Sequence, residues 1–170
     1  MSFEKRRVAI LAEGKFNVLA AKTAVGVIRY SPNDVVAVID STNAGKTVQD
    51  VLGFGGDIPV VSSVDEIRPY DPEVLIIGIA PTGGRLPADW RAIVNDAIEA
   101  KMEIWSGLHS FLSDDPEFAA LADIKGVRLW DVRRPRPDLE RQRDLRGDRI
   151  SRHGASARSA HCPTPARPCV

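Results

Sequence analysis

Four short polar segments of the sequence carry residue types that bind phosphate, and each one follows an apolar run. Glycine lets a ligand approach the backbone closely, and lysine or arginine supplies positive charge. We predict that these segments are loops at the carboxyl ends of buried strands, where open parallel sheets bind their ligands. The candidate cofactor-binding residues are Glu13, Gly14, Lys15 and Phe16, then Asp40, Ser41, Thr42, Gly45, Lys46 and Thr47, then Pro81, Gly83, Gly84 and Arg85, and finally His109.

The second segment ends in Gly45-Lys46-Thr47, which resembles the end of a Walker A loop between a strand and a helix. That loop begins with glycine in Gly-x-x-x-x-Gly-Lys-Ser/Thr, whereas this chain has Asp40 at the position. Asp40 would bring a negative charge close to the phosphates, and no second acidic strand end for magnesium follows. The pattern therefore disfavours NTP hydrolysis and leaves open a phosphate at the helix N-terminus or a plain helix start.

The other three segments are weaker signals. Glu13-Gly14-Lys15 lacks the Gly-x-Gly-x-x-Gly fingerprint, which disfavours a dehydrogenase. Two glycines beside Arg85 suit an anion-binding loop, and a flexible loop is an equal alternative. His109 is either a general base, a ligand contact or a surface histidine, because no nucleophile or metal partner for it is evident. We assign no catalytic residue and no metal site.

These segments need a scaffold of alternating strands and helices. Apolar runs predict strands at 8–12, 35–39, 58–61, 74–79, 103–106 and 127–132, and helical spacing predicts helices at 18–30, 46–52, 90–100 and 115–124, with a capped turn at 63–66. Pro59 restricts its strand to an edge or strand start. The alternation predicts an α/β protein with a Rossmann-like open parallel sheet and helices on both faces.

The charge distribution divides the chain. Residues 1–132 hold 13 Lys and Arg against 19 Asp and Glu, whereas residues 133–170 hold 10 Arg, no Lys and 4 acids. We therefore predict a nucleotide- or CoA-binding type of domain over 1–135 and a disordered Arg/Pro-rich tail over 136–170. The tail is either a basic segment for a polyanion or a non-native terminus from truncation or a shifted reading frame. No signal peptide or membrane span is evident, so a cytoplasmic location is expected.

Several of these runs together resemble one family. The runs ILAEGKF, GVIRYSPNDVVAVIDSTNAGKTVQDVLGFGGDIPVV, LIIGIAPTGGRLPADWR, SGLHSFLSDDPEFAALA and GVRLWDVRRP are similar to the N-terminal domain of the D-glutamate N-acetyltransferase (DgcN) family. The resemblance covers about residues 7–138. It implies a Rossmann-like first domain, followed by a P-loop C-terminal domain of which this chain has no counterpart. Complete activity is therefore not expected of this chain.

The resemblance also implies a ligand. Acetyl transfer requires acetyl-CoA, and the layout is distantly similar to the CoA-binding domain of succinyl-CoA synthetases, an analogy at the level of fold. We expect CoA, acetyl-CoA or a nucleotide as a small phosphate-bearing ligand. The alternatives are a non-catalytic module that packs against a P-loop partner domain and a small nucleotide-binding protein. Nucleic acid and membrane are not expected partners, and a homo-oligomer is left open.

Overall fold

A single six-stranded parallel sheet organises the part of the chain that the computed structural model describes, residues 5–135. Its order is β3-β2-β1-β4-β5-β6, every neighbouring pair is parallel, and helices connect the strands. This arrangement confirms the Rossmann-like prediction. The strands are β1 (Arg7–Leu11), β2 (Asp34–Ile39), β3 (Val60–Val61), β4 (Val74–Ile77), β5 (Glu103–Ser106) and β6 (Leu129–Asp131), and the helices are α1 (Lys22–Tyr30), α2 (Val48–Leu52), α3 (Val64–Ile67), α4 (Trp90–Glu99) and α5 (Pro116–Lys125).

Local sequence signals explain where several elements begin and end. Asp115 caps α5 by accepting hydrogen bonds from the amides of Glu117 and Phe118, and Pro116 takes the first helical position. Gly126 ends α5 in the left-handed conformation at φ 67°. β3 lies at one end of the sheet, as the edge position predicted from Pro59 requires.

Two helices begin later than the sequence predicted, each for an identifiable reason. The side chain of Asn17 accepts hydrogen bonds from the amides of Leu19 and Ala20, at 3.1 and 2.9 Å, and forms a turn ahead of α1. Residues 45 and 46 instead pair with Val60 of β3 through backbone hydrogen bonds, so that α2 cannot include them.

The sheet reverses its order between β1 and β4, and α1 approaches closely there. The amide of Ala24 in α1 donates to the carbonyl oxygen of Gly78 at 2.8 Å, and the amide of Gly78 donates to Leu11 at 2.8 Å. A Cβ at Gly78 would lie 2.9 Å from the Cβ of Ala24 and 3.2 Å from the carbonyl oxygen of Leu11, besides overlapping Ile10. The missing side chain therefore sets how closely α1 packs on the sheet.

Replacing Gly78 with alanine is expected to destabilise the domain by about 1–3 kcal/mol, because the added methyl overpacks the contact between α1, β1 and β4. Urea denaturation followed by circular dichroism measures the change. Gly26→Ala is the matched control: no atom lies within 4 Å of a Cβ there, and alanine is favoured in a helix. Gly26→Ala should be neutral or stabilising, and equal losses in both variants would contradict the packing argument.

Candidate functional site

The loops at the carboxyl ends of β1 and β4 lead in opposite directions, because the strand order reverses between these two neighbours. In parallel sheets a crevice opens at such a point, and ligands bind there. The loop after β2 flanks the crevice on one side and the loop after β5 on the other. All four predicted segments therefore emerge at the same rim of the sheet.

The loops after β1 and β2 are tied together by two carboxylates. Asp40 is fully buried and accepts hydrogen bonds from the amide of Gly14 at 2.8 Å, the hydroxyl of Thr42 at 2.8 Å and the side-chain amide of Asn43 at 2.7 Å. Glu13 accepts from the amide of Ser41 at 2.9 Å and from its hydroxyl. These predicted residues do come together, but their polar groups bind one another.

The start of α2 is closed to a phosphate in this conformation. The amides of Gly45 and Lys46 donate to the carbonyl oxygens of Val60 and Asn43. The next amides, at Thr47, Val48 and Gln49, donate to the carboxylate of Asp50 and to the carbonyl oxygens of Ile58 and Gly56. The resemblance to a Walker A loop therefore stops at the sequence, since these amides are used to hold β3 and cap the helix. Only the exposed side chain of Lys46, whose Nζ lies 3.1 Å from Oδ1 of Asn43, stays available.

Thr47 and Asp50 form a reciprocal capping box. The hydroxyl of Thr47 accepts from the amide of Asp50 at 3.2 Å, and the carboxylate of Asp50 accepts from the amide of Thr47 at 2.9 Å and from its hydroxyl at 2.8 Å. The hydrogen bond from the Thr47 amide, followed by that from its hydroxyl, lowers the pKa of Asp50 below its ordinary value. Thr47 is thus a helix cap, with its hydroxyl already engaged.

The loops after β4 and β5 are also joined. The carbonyl oxygen of Gly84 accepts from the amide of His109 at 2.8 Å, and a Cβ at Gly84 would lie 2.8 Å from Cγ of His109. Gly83 and Gly84 adopt positive φ, 81° and 66°, which side chains disfavour. Arg85 is exposed, and its guanidinium has no ion-pair or hydrogen-bond partner within residues 5–135. Pro81 is buried beside this loop.

Phe16, which was predicted to contact the ligand, lies in the hydrophobic core instead. Its ring is 2% exposed and belongs to the main hydrophobic core together with Ile10 and Leu11. Phe16 thus anchors the loop after β1 from below and presents no surface to a ligand in this conformation.

A cavity of about 430 Å³ occupies the crevice between the loops after β1 and β4. Lys15 and Lys22 both line it, and neither forms an ion pair with a carboxylate of the described residues. The amides of Lys22 and Thr23, in the first turn of α1, make no hydrogen bond to any group in that same range. The remaining lining residues are Leu19, Ala20, Thr23, Ile79 and Ala80.

This arrangement suits an anion better than a cation. Two lysines and the first turn of a helix, with its partial positive charge, line one concave surface, and Ile79 and Ala80 add apolar side chains to it. Among residues 5–135, no group of three or more His, Cys, Asp and Glu side chains is placed to hold a metal ion. A phosphate or carboxylate placed in this cavity would meet lysine side chains and backbone amides.

Sequence reasoning found Lys15 but missed the other cavity residues. The predicted helix over 18–30 placed Lys22 and Thr23 inside a helix, where their amides would be bonded. The signal that would have found them is Asn17, whose side chain favours a turn and delays the helix to Lys22. Ile79 and Ala80 were assigned to a strand or passed over because they carry no polar group.

With this geometry established, comparison with known proteins places the chain in a family. Residues 41–135 match the family described as a domain of unknown function (DUF1611_N), a Rossmann-like domain. The chain belongs to this family. A crystal structure of a DUF1611 family protein from Anabaena variabilis is 38% identical to it with a TM-score of 0.71, over 78% of this chain and 38% of that one.

Curated relatives of the DUF1611_N chain carry the name D-glutamate N-acetyltransferase. One from Tritonibacter scottomollicae is 32% identical over 119 residues, which are 70% of this chain and 33% of the relative. One from a Pseudoalteromonas species is 34% identical over 73 residues, 43% of this chain and 22% of the relative. The chain thus spans at most about a third of these relatives. The resemblance to the DgcN family is confirmed at this level.

A more distant solved structure shares only the fold. KijD10, a 3-ketoreductase from Actinomadura kijaniata solved with TDP-benzene and NADP, is 16% identical with a TM-score of 0.52, over 88% of this chain and 44% of that one. It supports the Rossmann-like assignment. No helix within residues 5–135 is long and apolar enough to cross a membrane. The predicted tail, residues 136–170, lies outside the residues that the structure describes.

Asp40→Asn is expected to destabilise the domain by about 1.5–3 kcal/mol, since a buried acceptor with several donors is replaced by a group that also donates. Glu13→Gln is the matched control on the exposed side of the same loop pair and should change stability by about 0.5 kcal/mol or less. Chemical denaturation measures both. A neutral Asp40→Asn variant would show that the carboxylate does not hold the two loops together.

Proposed function

We propose that this chain is the ligand-binding domain of an enzyme of the D-glutamate N-acetyltransferase type. The family membership and the curated relatives support the class of enzyme, and the cavity between the loops after β1 and β4 supports the binding role. Since the chain spans about a third of the first curated relative, the complete activity is assigned to the longer proteins.

The ligand in this proposal carries phosphate, as CoA, acetyl-CoA and nucleotides all do. The observation that carries it is a pair of lysines, Lys15 and Lys22, beside two amides at the start of α1, all four without an ion-pair or hydrogen-bond partner among residues 5–135. A phosphate there would accept charge-assisted hydrogen bonds from both side chains and interact with the helix N-terminus. A volume of about 430 Å³ falls within the range of about 300–1,000 Å³ typical of small-molecule sites.

The flanking cations extend this proposed site. Arg85 follows the two glycines of the loop after β4, whose first residues line the cavity, and Lys46 lies in the loop after β2. Both side chains are exposed and are the long, flexible type that can reach towards a ligand. We propose that Lys15 and Lys22 contribute most to the affinity for the ligand and that Arg85 and Lys46 contact its outer parts.

The proposed contribution of this chain to acetyl transfer is binding and orientation. Acetyl-CoA supplies the activated acetyl group when it is bound. Transfer to an amine also requires a base, and His109 is exposed, packs on Gly84 and has no carboxylate hydrogen-bond partner among the described residues. We therefore assign the acceptor site and the base to the remaining part of the longer proteins.

The other candidate is a module that contributes only an interface. This candidate is supported by the hydrogen bonds that already engage several predicted ligand contacts within the domain, namely the polar groups of Glu13, Asp40, Ser41 and Thr47. Ligand binding by the isolated 170-residue polypeptide distinguishes the two candidates, because a pure interface module binds none.

Lys15→Ala and Lys22→Ala are each expected to weaken binding of CoA or of a nucleotide by roughly ten- to hundredfold, or about 1.5–3 kcal/mol per lost charge-assisted contact. Isothermal titration with CoA, acetyl-CoA, ATP and NADP measures this and identifies the ligand class. Lys46→Ala and Arg85→Ala should weaken binding less. Lys101→Ala, at an exposed turn before β5, is the matched charge control and should bind like the parent.

Two outcomes of that titration oppose the proposal. Absence of binding by the parent to all four ligands would favour the interface module. Equal affinities of the parent, Lys15→Ala and Lys22→Ala would place the ligand elsewhere.

The 170-residue polypeptide should not acetylate D-glutamate at an enzymatic rate, because the acceptor site is assigned to the rest of the longer proteins. The measurement is formation of N-acetyl-D-glutamate from acetyl-CoA, with the Tritonibacter scottomollicae relative as positive control. Turnover by the polypeptide that Lys22→Ala abolishes would show that this chain holds a complete active site.

A further inference from the structure

The two faces of the sheet are covered unequally within residues 5–135. Val27 of α1 packs with Val8 and Val74, so α1 lies on the face that these two residues share. Right-handed crossovers put α2 on that face and α3, α4 and α5 on the opposite one. On this face α1 reaches β4, where Val74 and Ile76 are buried, but β5 and β6 carry no helix from the described range. We call the area over β5 and β6 the open face, and its side chains are Trp105, Trp130 and Val132.

The open face is apolar and centres on two tryptophans. Trp105 and Trp130 are paired in register on neighbouring strands, with ring centroids 4.8 Å apart in an edge-to-face arrangement. Trp130 is 37% exposed and Val132 is 55% exposed. Parallel sheets are ordinarily covered on both faces, and large contiguous apolar patches mark interaction sites. The open face therefore lacks its cover in this part of the chain.

Charged groups surround the tryptophans. The guanidinium of Arg128 lies 5.1 Å from the centre of the Trp130 ring, and Glu103 accepts from Nε1 of Trp105 at 3.1 Å while pairing with Arg6 at 3.0 Å. The indole N–H of Trp105 is thus satisfied without a partner protein. Aromatic anchors in the centre and charges at the rim are typical of protein interfaces.

We propose that the open face is the docking surface for the second part of the longer family proteins, the part that lies outside the region matched here. β6 is the end strand of the sheet, and the chain leaves it at Asp131, next to Trp130. The described residues continue only to Pro135, so a following segment starts beside the strand that carries Trp130. Because it is covalently attached, it binds at a high effective concentration.

Length and composition support this occupant. The matched region is 38% of the Anabaena variabilis protein and 33% of the Tritonibacter scottomollicae relative, so most of each protein is available to form the cover. Residues 136–170 are poor in the side chains that would cover such a face: their only Leu, Ile and Val residues are Leu139, Leu145, Ile150 and Val170, and they include no Phe, Trp or Tyr.

Hydroxyl-radical footprinting of the 170-residue polypeptide and of the complete Anabaena variabilis protein tests the proposal. In the polypeptide, Trp130 and Val132 should be labelled in proportion to their exposed fractions after correction for intrinsic reactivity, with Tyr30, 80% exposed, as the reference, and buried Trp90 should be protected. In the Anabaena variabilis protein, the structurally equivalent positions should be labelled roughly tenfold more slowly, since the centre of an interface excludes water. Equal labelling in the two proteins would overturn the proposal.

Sedimentation velocity at the same concentration separates this occupant from a second copy of the chain. We expect Trp130→Glu to leave the sedimentation of the polypeptide unchanged. Ile124→Glu, at a residue of α5 on the opposite face that is 78% exposed, is the matched control. A dimer that Trp130→Glu alone dissociates would assign the open face to self-association. Protection of Trp130 in a monomeric polypeptide would assign it to the same chain, and either result overturns the proposal.

Discussion

The close contact between α1 and β4 determines the geometry of the rim on which the candidate site depends. Gly78 donates to Leu11 of β1 and accepts from Ala24 of α1, so one residue joins the two central strands and the first helix. Its lack of a side chain lets α1 lie against the sheet where the strand order reverses. The cavity follows from this contact, because Lys22 and Thr23 at the start of α1 face Ile79 and Ala80 just beyond Gly78.

The loops around this contact show why polar residues at strand ends need not all meet a ligand. Asp40 and Glu13 face a strong desolvation cost if they are buried or crowded without donors, and the neighbouring backbone amides and hydroxyls supply those donors. The same groups that suggested phosphate chemistry therefore stabilise the rim itself. Lys15 and Lys22 have no ion-pair partner among residues 5–135, and they are the groups that we propose for the ligand.

The proposed ligand site and the proposed docking surface are different regions of the domain. The cavity lies at the carboxyl ends of β1 and β4, whereas the open face lies over β5 and β6. A domain that binds a phosphate-bearing ligand at its rim and packs its open face against a second part would hold that ligand near residues supplied by the second part.

The sequence by itself determined the order and type of the elements, because buried parallel strands read as apolar runs and the helices keep a regular spacing. It also determined that Glu13, Asp40, Gly84 and Lys46 follow strand ends. Only the tertiary structure decided which of these polar groups are already engaged in hydrogen bonds within the domain and which stay available. Hydrogen bonds from Gly14 to Asp40, from Gly45 to Val60 and from His109 to Gly84 join residues 26, 15 and 25 positions apart, and local patterns cannot encode them.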